Sequence, residues 1–421
     1  MTTADIHRTI ETVWKIEAPR LIAGLARMLR DVGQAEDLAQ EALVVALERW
    51  PRDGVPDNPG AWLMTTAKRR AIDQLRHNRM RDDKQAAIGY ELETEAMTHA
   101  PDHADALDDD IGDDLLRLIF TACHPVLTRD MQVALTLRML GGLTTPEIAR
   151  AFLVPEPTVA QRIVRAKRTL SEKQVPFEVP RGEELAPRLS AVLEVVYLIF
   201  NEGYTATAGD DWARPALCEE ALRLGRVLAG LAPREPEVHG LVALMEIQAS
   251  RLHARTAADG TPILLLDQDR KHWDRLLIRL GLASLARAEQ FGGAEGNYAL
   301  QAAIAGCHAR ALHAQDTDWA RIAALYARLA EVAPSPVVEL NRAVAVSMAE
   351  GPEAGLQLVD VLQKERALRD YHLLPSVRGD LLFKLGRRDE ARVEFERAAS
   401  LTGNTREAEL LRARAAACGD V

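Results

Sequence analysis

The sequence predicts an all-α protein, and two observations support that prediction. Aromatic residues make up only 5% of the 421 residues, whereas the helix-favouring residues Ala, Leu, Arg and Glu are abundant. Apolar residues recur at three- and four-residue spacing along most of the chain, without the sustained alternation that strands show. A hydrophobic fraction of 48% is ample for sizeable cores, and the length predicts two or three domains.

The first 50 residues predict two helical elements. Residues 5–30 are amphipathic, with Pro19 as an expected break and Gly33 as the end of the element. Residues 35–50 form a strong helix pattern in which Leu38, Ala42, Val45 and Leu47 are expected to face inward. Its outward strip is polar and mostly acidic, comprising Asp37, Gln40, Glu41 and Glu48. Such a strip is a partner surface or simply a solvated face.

A basic helix is predicted over residues 59–81, after a proline-rich loop. The residues expected to be buried are Ala61, Trp62, Leu63, Ala67, Ile72 and Leu75. The cations on the helix are Lys68, Arg69, Arg70, Arg76, His77, Arg79 and Arg81, and Trp62 lies near them. Cations for phosphates together with a flat ring for unstacked bases suit single-stranded nucleic acid, although an arginine-rich helix can also be only a solvated face.

Residues 82–114 are dominated by Asp and Glu and contain few large apolar side chains, so we expect a flexible acidic linker. Helical periodicity resumes over residues 115–140 and ends at Gly141–Gly142.

Residues 144–171 have the pattern of a helix-turn-helix. Thr144 or Thr145 can cap a short first helix, and Pro155 and Pro157 separate it from the second. The second helix has an apolar stripe formed by Val159, Ile163, Ala166 and Leu170. Its remaining faces carry Gln161, Arg162, Arg165, Lys167 and Arg168. A basic second helix favours DNA binding, although similar helix pairs occur in proteins that never contact DNA.

Three motifs in this order resemble the bacterial sigma-70 family of RNA polymerase sigma factors, in its extracytoplasmic-function (ECF) group. They are the sequence DLAQE at 37–41, the stretch from AWL at 61–63 through KRRAIDQLR at 68–76, and the helix-turn-helix. The resemblance covers residues 5–175. It implies two small helical domains, sigma region 2 over 1–81 and the region 4 helix-turn-helix over 115–175, with 82–114 as the linker between them.

The resemblance also implies partners for three surfaces. Asp37, Gln40 and Glu41 would dock on the β′ clamp helices of core RNA polymerase, whose β flap is a second expected contact. The minus-ten promoter element would be bound and melted by Trp62, Lys68, Arg69, Arg70 and Arg76. The minus-thirty-five element would be recognised by Thr158, Gln161, Arg162, Arg165 and Lys167. The chain departs from the family pattern at Ala160, where many relatives carry Lys or Arg, and in Pro155-Glu156-Pro157, which replaces a commoner Gly-containing turn.

The second half, residues 185–421, predicts a helical domain similar to tetratricopeptide (TPR) repeats. After a boundary at 175–184, helix pairs are expected at 216–231 with 235–253 and at 298–313 with 319–332. Small and large residues fall at TPR positions in the last repeat, namely Gly379, Leu382, Gly386, Ala391, Phe395 and Ala398. Residues 341–362 are a looser copy. An ECF group with a TPR-like extension contains phrases similar to YLIFNEGY at 197–204.

Several polar and aromatic residues of this half lie in apolar surroundings. They are Asn201, Glu202, Tyr204, Asp267, Asp269, Arg270, Trp273, His308, Arg310 and Asn341. They are either satisfied hydrogen-bonding groups at helix turns or a regulatory face for a protein or ligand.

Composition limits the other function classes. The net charge of −10 means that DNA contact must rest on local patches or on a partner. The cysteines, Cys123, Cys218, Cys307 and Cys418, form no C-x-x-C pair, so no metal site is predicted. No catalytic or cofactor motif is present, so we expect neither an enzyme nor a bound cofactor. No apolar stretch approaches the roughly 20 residues that span a membrane, so a soluble cytoplasmic protein is expected.

Two alternatives to a sigma factor remain open on the sequence. One is a ligand-responsive helix-turn-helix repressor that acts without core polymerase. The other is a TPR scaffold with a decayed sigma core.

Overall fold

A computed structural model describes residues 3–86, 104–152, 154–205, 208–209, 213–257 and 261–419. The chain divides into two compact units, residues 1–195 and 196–421, and both are helical. The predicted all-α fold class is confirmed. Among the described helices, none is both long enough and apolar enough to cross a membrane.

The first unit is built from helices. Their bounds are α1 Thr3–Leu29, α2 Val32–Asp53, α3 Pro59–Ala86, α4 Ala104–Ala122, α5 Arg129–Met139, α6 Thr145–Phe152, α7 Glu156–Glu172, and the first half of α8, Leu185–Tyr204. Helix α1 packs against α2, α3 and α4, and α5 packs against α7. The start of α8 belongs to this unit, because Arg188 donates to the Phe120 carbonyl oxygen at 2.9 Å.

The break expected at Pro19 is wrong, because α1 runs through this residue without interruption. Its neighbours Ala18, Leu21 and Ile22 are almost completely buried. Burial of this stripe offsets the backbone hydrogen bond that proline cannot donate. The chain turns instead at Arg30, which has a φ of 54° and precedes a new helix start.

The sequence predicts burial of Leu47, Ala61 and Leu75, but all three are exposed. The buried stripe of α2 runs through Leu38, Ala42, Ala46 and Trp50 at four-residue spacing. Leu47 follows Ala46 directly and is therefore rotated by about 100° out of that stripe.

Both ends of the predicted acidic linker are helical, since α3 continues to Ala86 and α4 begins at Ala104. Residues 87–103 lie outside the described part of the chain. Asp114, counted as part of the linker, is buried and pairs with Arg27 at 3.3 Å and with Arg117 at 2.8 Å. The acidic composition therefore does not exclude helix at either end.

The second unit contains the rest of α8 and a series of antiparallel helix pairs. Their bounds are α9 Pro215–Leu231, α10 Pro236–Ala249, α11 Arg275–Gln290, α12 Asn297–Arg310, α13 Trp319–Val332, α14 Pro336–Glu350, α15 Pro352–Leu362, α16 Leu373–Lys384, α17 Arg388–Leu401 and α18 Thr405–Ala417. Two short strands, β1 Ala208–Gly209 and β2 Gly403–Asn404, pair in parallel. From α13 onwards each helix packs on the next, as a TPR-like array requires.

Small residues bring the repeat helices close together. A Cβ atom added at Gly355 would lie 2.4 Å from the Cβ atom of Ser347, and one at Gly379 would lie 2.9 Å from the Phe395 ring. Phe395, Ala391 and Ala398 are buried in one core cluster, as the TPR pattern predicts.

Candidate nucleic-acid interface

The helix-turn-helix begins with a reciprocal cap. The backbone N–H of Thr144 donates to Glu147 Oε2 at 2.7 Å, and the backbone N–H of Glu147 donates to Thr144 Oγ1 at 3.3 Å. This capping box identifies Thr144 as the cap of α6. Helix α7 then buries Val159, Ile163 and Ala166, so its polar residues point away from the core.

The polar face of α7 is divided between exposed and paired side chains. Gln161 and Arg165 are exposed, and Thr158 is half-buried. Arg162 donates to Asp130 at 2.6 Å. Lys167 is ion-paired with Glu36 and, at 2.8 Å, with Asp37. The residues that the sequence assigned to minus-thirty-five recognition thus share one helix, but two of them contact acids of the same unit.

The basic face of α3 exposes Lys68, Arg69 and Arg76. Arg70, on the same helix, forms an ion pair with Glu41 of α2. Trp62 is half-buried, and its ring packs edge-on against Trp50 with centroids 5.4 Å apart. Trp62 therefore holds a fixed position beside the cations, while part of its surface remains accessible.

The acidic face of α2 lies beside both basic helices. The side chains of Asp37 and Glu41 are 69% and 52% exposed, whereas Gln40 is half-buried. Each of the two carboxylates contacts one cation, Lys167 for Asp37 and Arg70 for Glu41.

Glu36 is a residue that the sequence analysis missed. Its side chain is only 3% exposed, and it accepts from Arg138 Nε at 3.0 Å as well as pairing with Lys167. A carboxylate at the edge of the buried stripe of α2 is a signal for such a pairing, because buried charges require partners.

Lys167 is held firmly in its charged form. Burial acts to lower its pKa, but attraction by Glu36 and hydrogen bonds to Asp37 and Glu36 together raise the pKa above its ordinary value. The ammonium thus ties α7 to α2, and Arg138 adds a link from α5.

The cysteines of this chain are buried thiols. Burial raises the pKa of Cys123 to about 11 and that of Cys218 to about 12, so both stay protonated at neutral pH. The described residues contain no group of three His, Cys, Asp or Glu side chains arranged to hold a metal ion.

Comparison with known families divides the chain into three matched segments. Residues 14–81 match sigma-70 region 2, and residues 117–170 match sigma-70 region 4. Residues 188–289 match a family of unknown function, DUF6596. The first two segments contain the α2, α3 and α7 surfaces described above, and the third contains α9 and α10.

Curated relatives agree with this division. An uncharacterized protein of Rhizobium meliloti (strain 1021) is 44% identical over 396 residues, which is 94% of this chain and 92% of the relative. The ECF RNA polymerase sigma factors SigK of Mycobacterium ulcerans and Mycobacterium bovis are each 30% identical over 155 residues, which is 36% of this chain and 78% of those proteins. On these matches, the chain belongs to the ECF group of the sigma-70 family and carries a helical extension after region 4.

Proposed function

We propose that this chain binds core RNA polymerase, directs it to specific promoters and helps to melt the minus-ten element. The observation that supports the proposal most strongly is the placement of region 2 and region 4 on helices with exposed acidic and basic residues. The chemistry needed is capture of bases and phosphates, without any bond made or broken. Because the polymerase is cytoplasmic, we propose the cytoplasm as the site of action.

For the polymerase surface we propose Asp37, Gln40 and Glu41, docking on the β′ clamp helices. The exposure of the two carboxylates supports this assignment. A second polymerase contact, from region 4 to the β flap, is proposed on the family resemblance alone.

For the minus-ten element we propose Trp62, Lys68, Arg69, Arg70 and Arg76. Three of these cations are exposed and would hold the phosphates of the separated strand. Trp62 would stack on an unpaired base, because its ring is already positioned by Trp50.

For the minus-thirty-five element we propose Thr158, Gln161, Arg162, Arg165 and Lys167. Residues near the N-terminus of α7 would reach base edges, while Arg165 and Lys167 would hold phosphates. Ala160 supplies no charge where many relatives have one, so we expect weak binding to the isolated duplex.

The ion pairs of Lys167 suggest that the described state is a closed one. The contact between Lys167 and Asp37 competes with the contacts that these residues would make with promoter and polymerase. We propose that region 4 separates from region 2 when polymerase binds, and that new contacts to polymerase and DNA replace the internal ones.

Transcription from genomic fragments by core polymerase, with and without this chain, tests the proposal. We expect new transcripts only when both are present, with shared sequence elements upstream of their starts. In a gel-shift assay the chain alone should bind these promoters weakly. Tight, specific binding without polymerase would instead support a helix-turn-helix repressor.

We further propose that the helical extension regulates sigma activity through a protein or ligand. The test compares transcription by the full chain with that by residues 1–195, a truncation that keeps the Arg188 contact with Phe120. Equal activity of the two forms under every condition would contradict regulation by the extension and leave the sigma assignment intact.

A further inference from the structure

An arginine cluster lies inside the second unit, apart from the residues proposed to bind polymerase and promoter. It combines aromatic rings with guanidinium groups and one imidazole from α8, α12 and the segment between α10 and α11. Its members are Tyr204, Arg251, Arg255, Arg270, Trp273 and His308. Tyr204, Arg270, Trp273 and His308 are among the polar and aromatic residues that the sequence singled out, and the fold brings these four together with two further arginines.

The guanidinium groups of the cluster lie close to its aromatic rings. Arg251 Cζ lies 5.7 Å from the ring centroid of Tyr204 and 5.6 Å from that of Trp273. Arg270 Cζ lies 5.1 Å from the Trp273 centroid, so two cations share this indole. Arg255 stacks on Tyr204 at 3.6 Å.

Arg270 and Arg251 differ in what they bind. Arg270 donates to the carbonyl oxygens of His308 and Ala311 at 2.8 and 2.9 Å, and to Thr317 Oγ1 at 2.8 Å. It therefore fastens the segment after α12. The Arg251 guanidinium donates no hydrogen bond to any residue in the described part of the chain, so no comparable structural role accounts for it.

Several buried nitrogen atoms of the cluster lack a hydrogen-bond partner within the part of the chain that the structure describes. Arg270, Trp273 and His308 are only 4%, 3% and 7% exposed. Within the described residues, Nε of Arg251, Nε of Arg270, Nε1 of Trp273 and Nδ1 of His308 are buried without a hydrogen-bond partner. The first three can only donate, and a buried unsatisfied donor costs about 1–3 kcal/mol.

Among the described residues, no carboxylate forms an ion pair with Arg251 or Arg270. Burial lowers the pKa of Arg270 and the neighbouring charge of Arg251 lowers it further, while Asp316 acts weakly in the opposite direction. Burial, with Arg251 and Arg270 nearby, lowers the pKa of His308 to about 3, so its imidazole is neutral.

We propose that the arginine cluster is a binding site for a small oxyanion, the phosphate or carboxylate group of a soluble ligand. Such a group has only acceptors to offer the orphaned N–H donors, and its charge offsets the adjacent guanidinium groups. Arg251 is the principal ligand-binding residue, since its guanidinium group donates no hydrogen bond within the described part of the chain. The rings of Tyr204 and Trp273 both lie near that guanidinium group, at 5.7 and 5.6 Å from Arg251 Cζ.

Calorimetric titration of the full chain tests the site. The probes are inorganic phosphate and malonate, each at an ionic strength fixed with sodium chloride, so that the two arms distinguish a phosphate from a carboxylate ligand. We expect saturable binding at one site per chain for at least one probe. The substitution R251M keeps the apolar stem of the side chain and should weaken probe binding at least about tenfold. R251K keeps the charge but loses the planar guanidinium group. Its affinity should therefore lie between the affinities of the native chain and of R251M.

Arg279→Met is the matched control, because Arg279 is an exposed arginine of α11 in the same unit. It should leave affinity unchanged. Absence of binding by both probes would overturn the site, and so would equal affinity of R251M and the native chain, or equal losses in R251M and R279M. If R251M does not fold, unaltered affinity in R251K would overturn the role of Arg251. The experiment reads binding alone, so its failure leaves the sigma-factor proposal untouched.

Discussion

The ammonium group of Lys167 lies 2.8 Å from Oδ1 of Asp37 and also contacts Glu36. Lys167 belongs to the helix proposed to bind the minus-thirty-five element, and Asp37 belongs to the helix proposed to bind polymerase. One ion-paired group therefore joins two surfaces with different proposed partners. Its neighbour Glu36 is almost completely buried, so the contact is a structural tie rather than a surface ion pair.

Lys167→Glu should loosen the tie between α2 and α7. The new carboxylate would repel Glu36 and Asp37 and leave Glu36 with Arg138 as its described partner. We expect this change to lower the free energy of unfolding by about 2–4 kcal/mol. Hydrogen exchange should accelerate for the backbone amides of α2 and α7. Arg168→Glu is the control, because Arg168 is exposed and, among the described residues, pairs only with Glu172 of its own helix. Similar exchange rates in the two variants would contradict the tie.

Gly355→Ala should destabilise the second unit by about 1–3 kcal/mol, because the added methyl group overlaps Ser347 and the helices α14 and α15 must move apart. Scanning calorimetry of the full chain measures the change. Gly230→Ala is the control, since a Cβ atom there meets nothing within 4 Å and alanine favours helix by about 1 kcal/mol. A stabilised Gly355→Ala variant would rule out the close helix approach.

Stability should fall as the pH drops below 6.5, in part because of His308. Its pKa is lowered to about 3 by burial and by Arg251 and Arg270, so the unfolded chain binds a proton that the folded chain does not. The stability that neutral His308 contributes is fully present above the pKa of the unfolded chain, near 6.5. It is lost as the pH falls below that value, by up to about 1.4 kcal/mol per pH unit. Urea unfolding at pH 7 and pH 5 measures the loss.

His308→Gln isolates the effect of that histidine from that of His124, whose pKa is also lowered, to about 4, by burial. The variant should lose less stability than the native chain between the two pH values. An identical loss in both proteins would show that His308 does not carry the pH dependence.

Much of the fold follows from local sequence signals. The apolar stripe of α7, the small residues of the repeat helices and the capping residue Thr144 are all visible as spacing and residue type. The continuity of α1 through Pro19 is not visible in the local sequence, because it depends on burial against three other helices. Local propensity cannot report such tertiary packing.

The candidate surfaces were predicted as motifs, but their pairing was not. Nothing near Asp37 in the sequence points to Lys167, 130 residues away. Likewise, Tyr204, Arg270, Trp273 and His308 were noted as polar or aromatic residues in apolar surroundings, but Arg251 was not singled out at all. Long-range contacts between charged groups depend on how helices pack, and a single sequence does not contain that information.

The central claim is that this chain binds core RNA polymerase through Asp37, Gln40 and Glu41 of α2. The most direct test measures association of the labelled full chain with core polymerase for the native protein, the double variant D37K/E41K and the control Glu48→Lys, which alters an exposed acid of the same helix. The double variant also removes the contact of Asp37 with Lys167, which should open access to the surface, so weaker binding would report the lost acidic contacts. We expect affinity to fall at least about tenfold in D37K/E41K and to stay within about twofold of native in E48K. Native affinity in D37K/E41K, or no association of the native chain, would contradict the account.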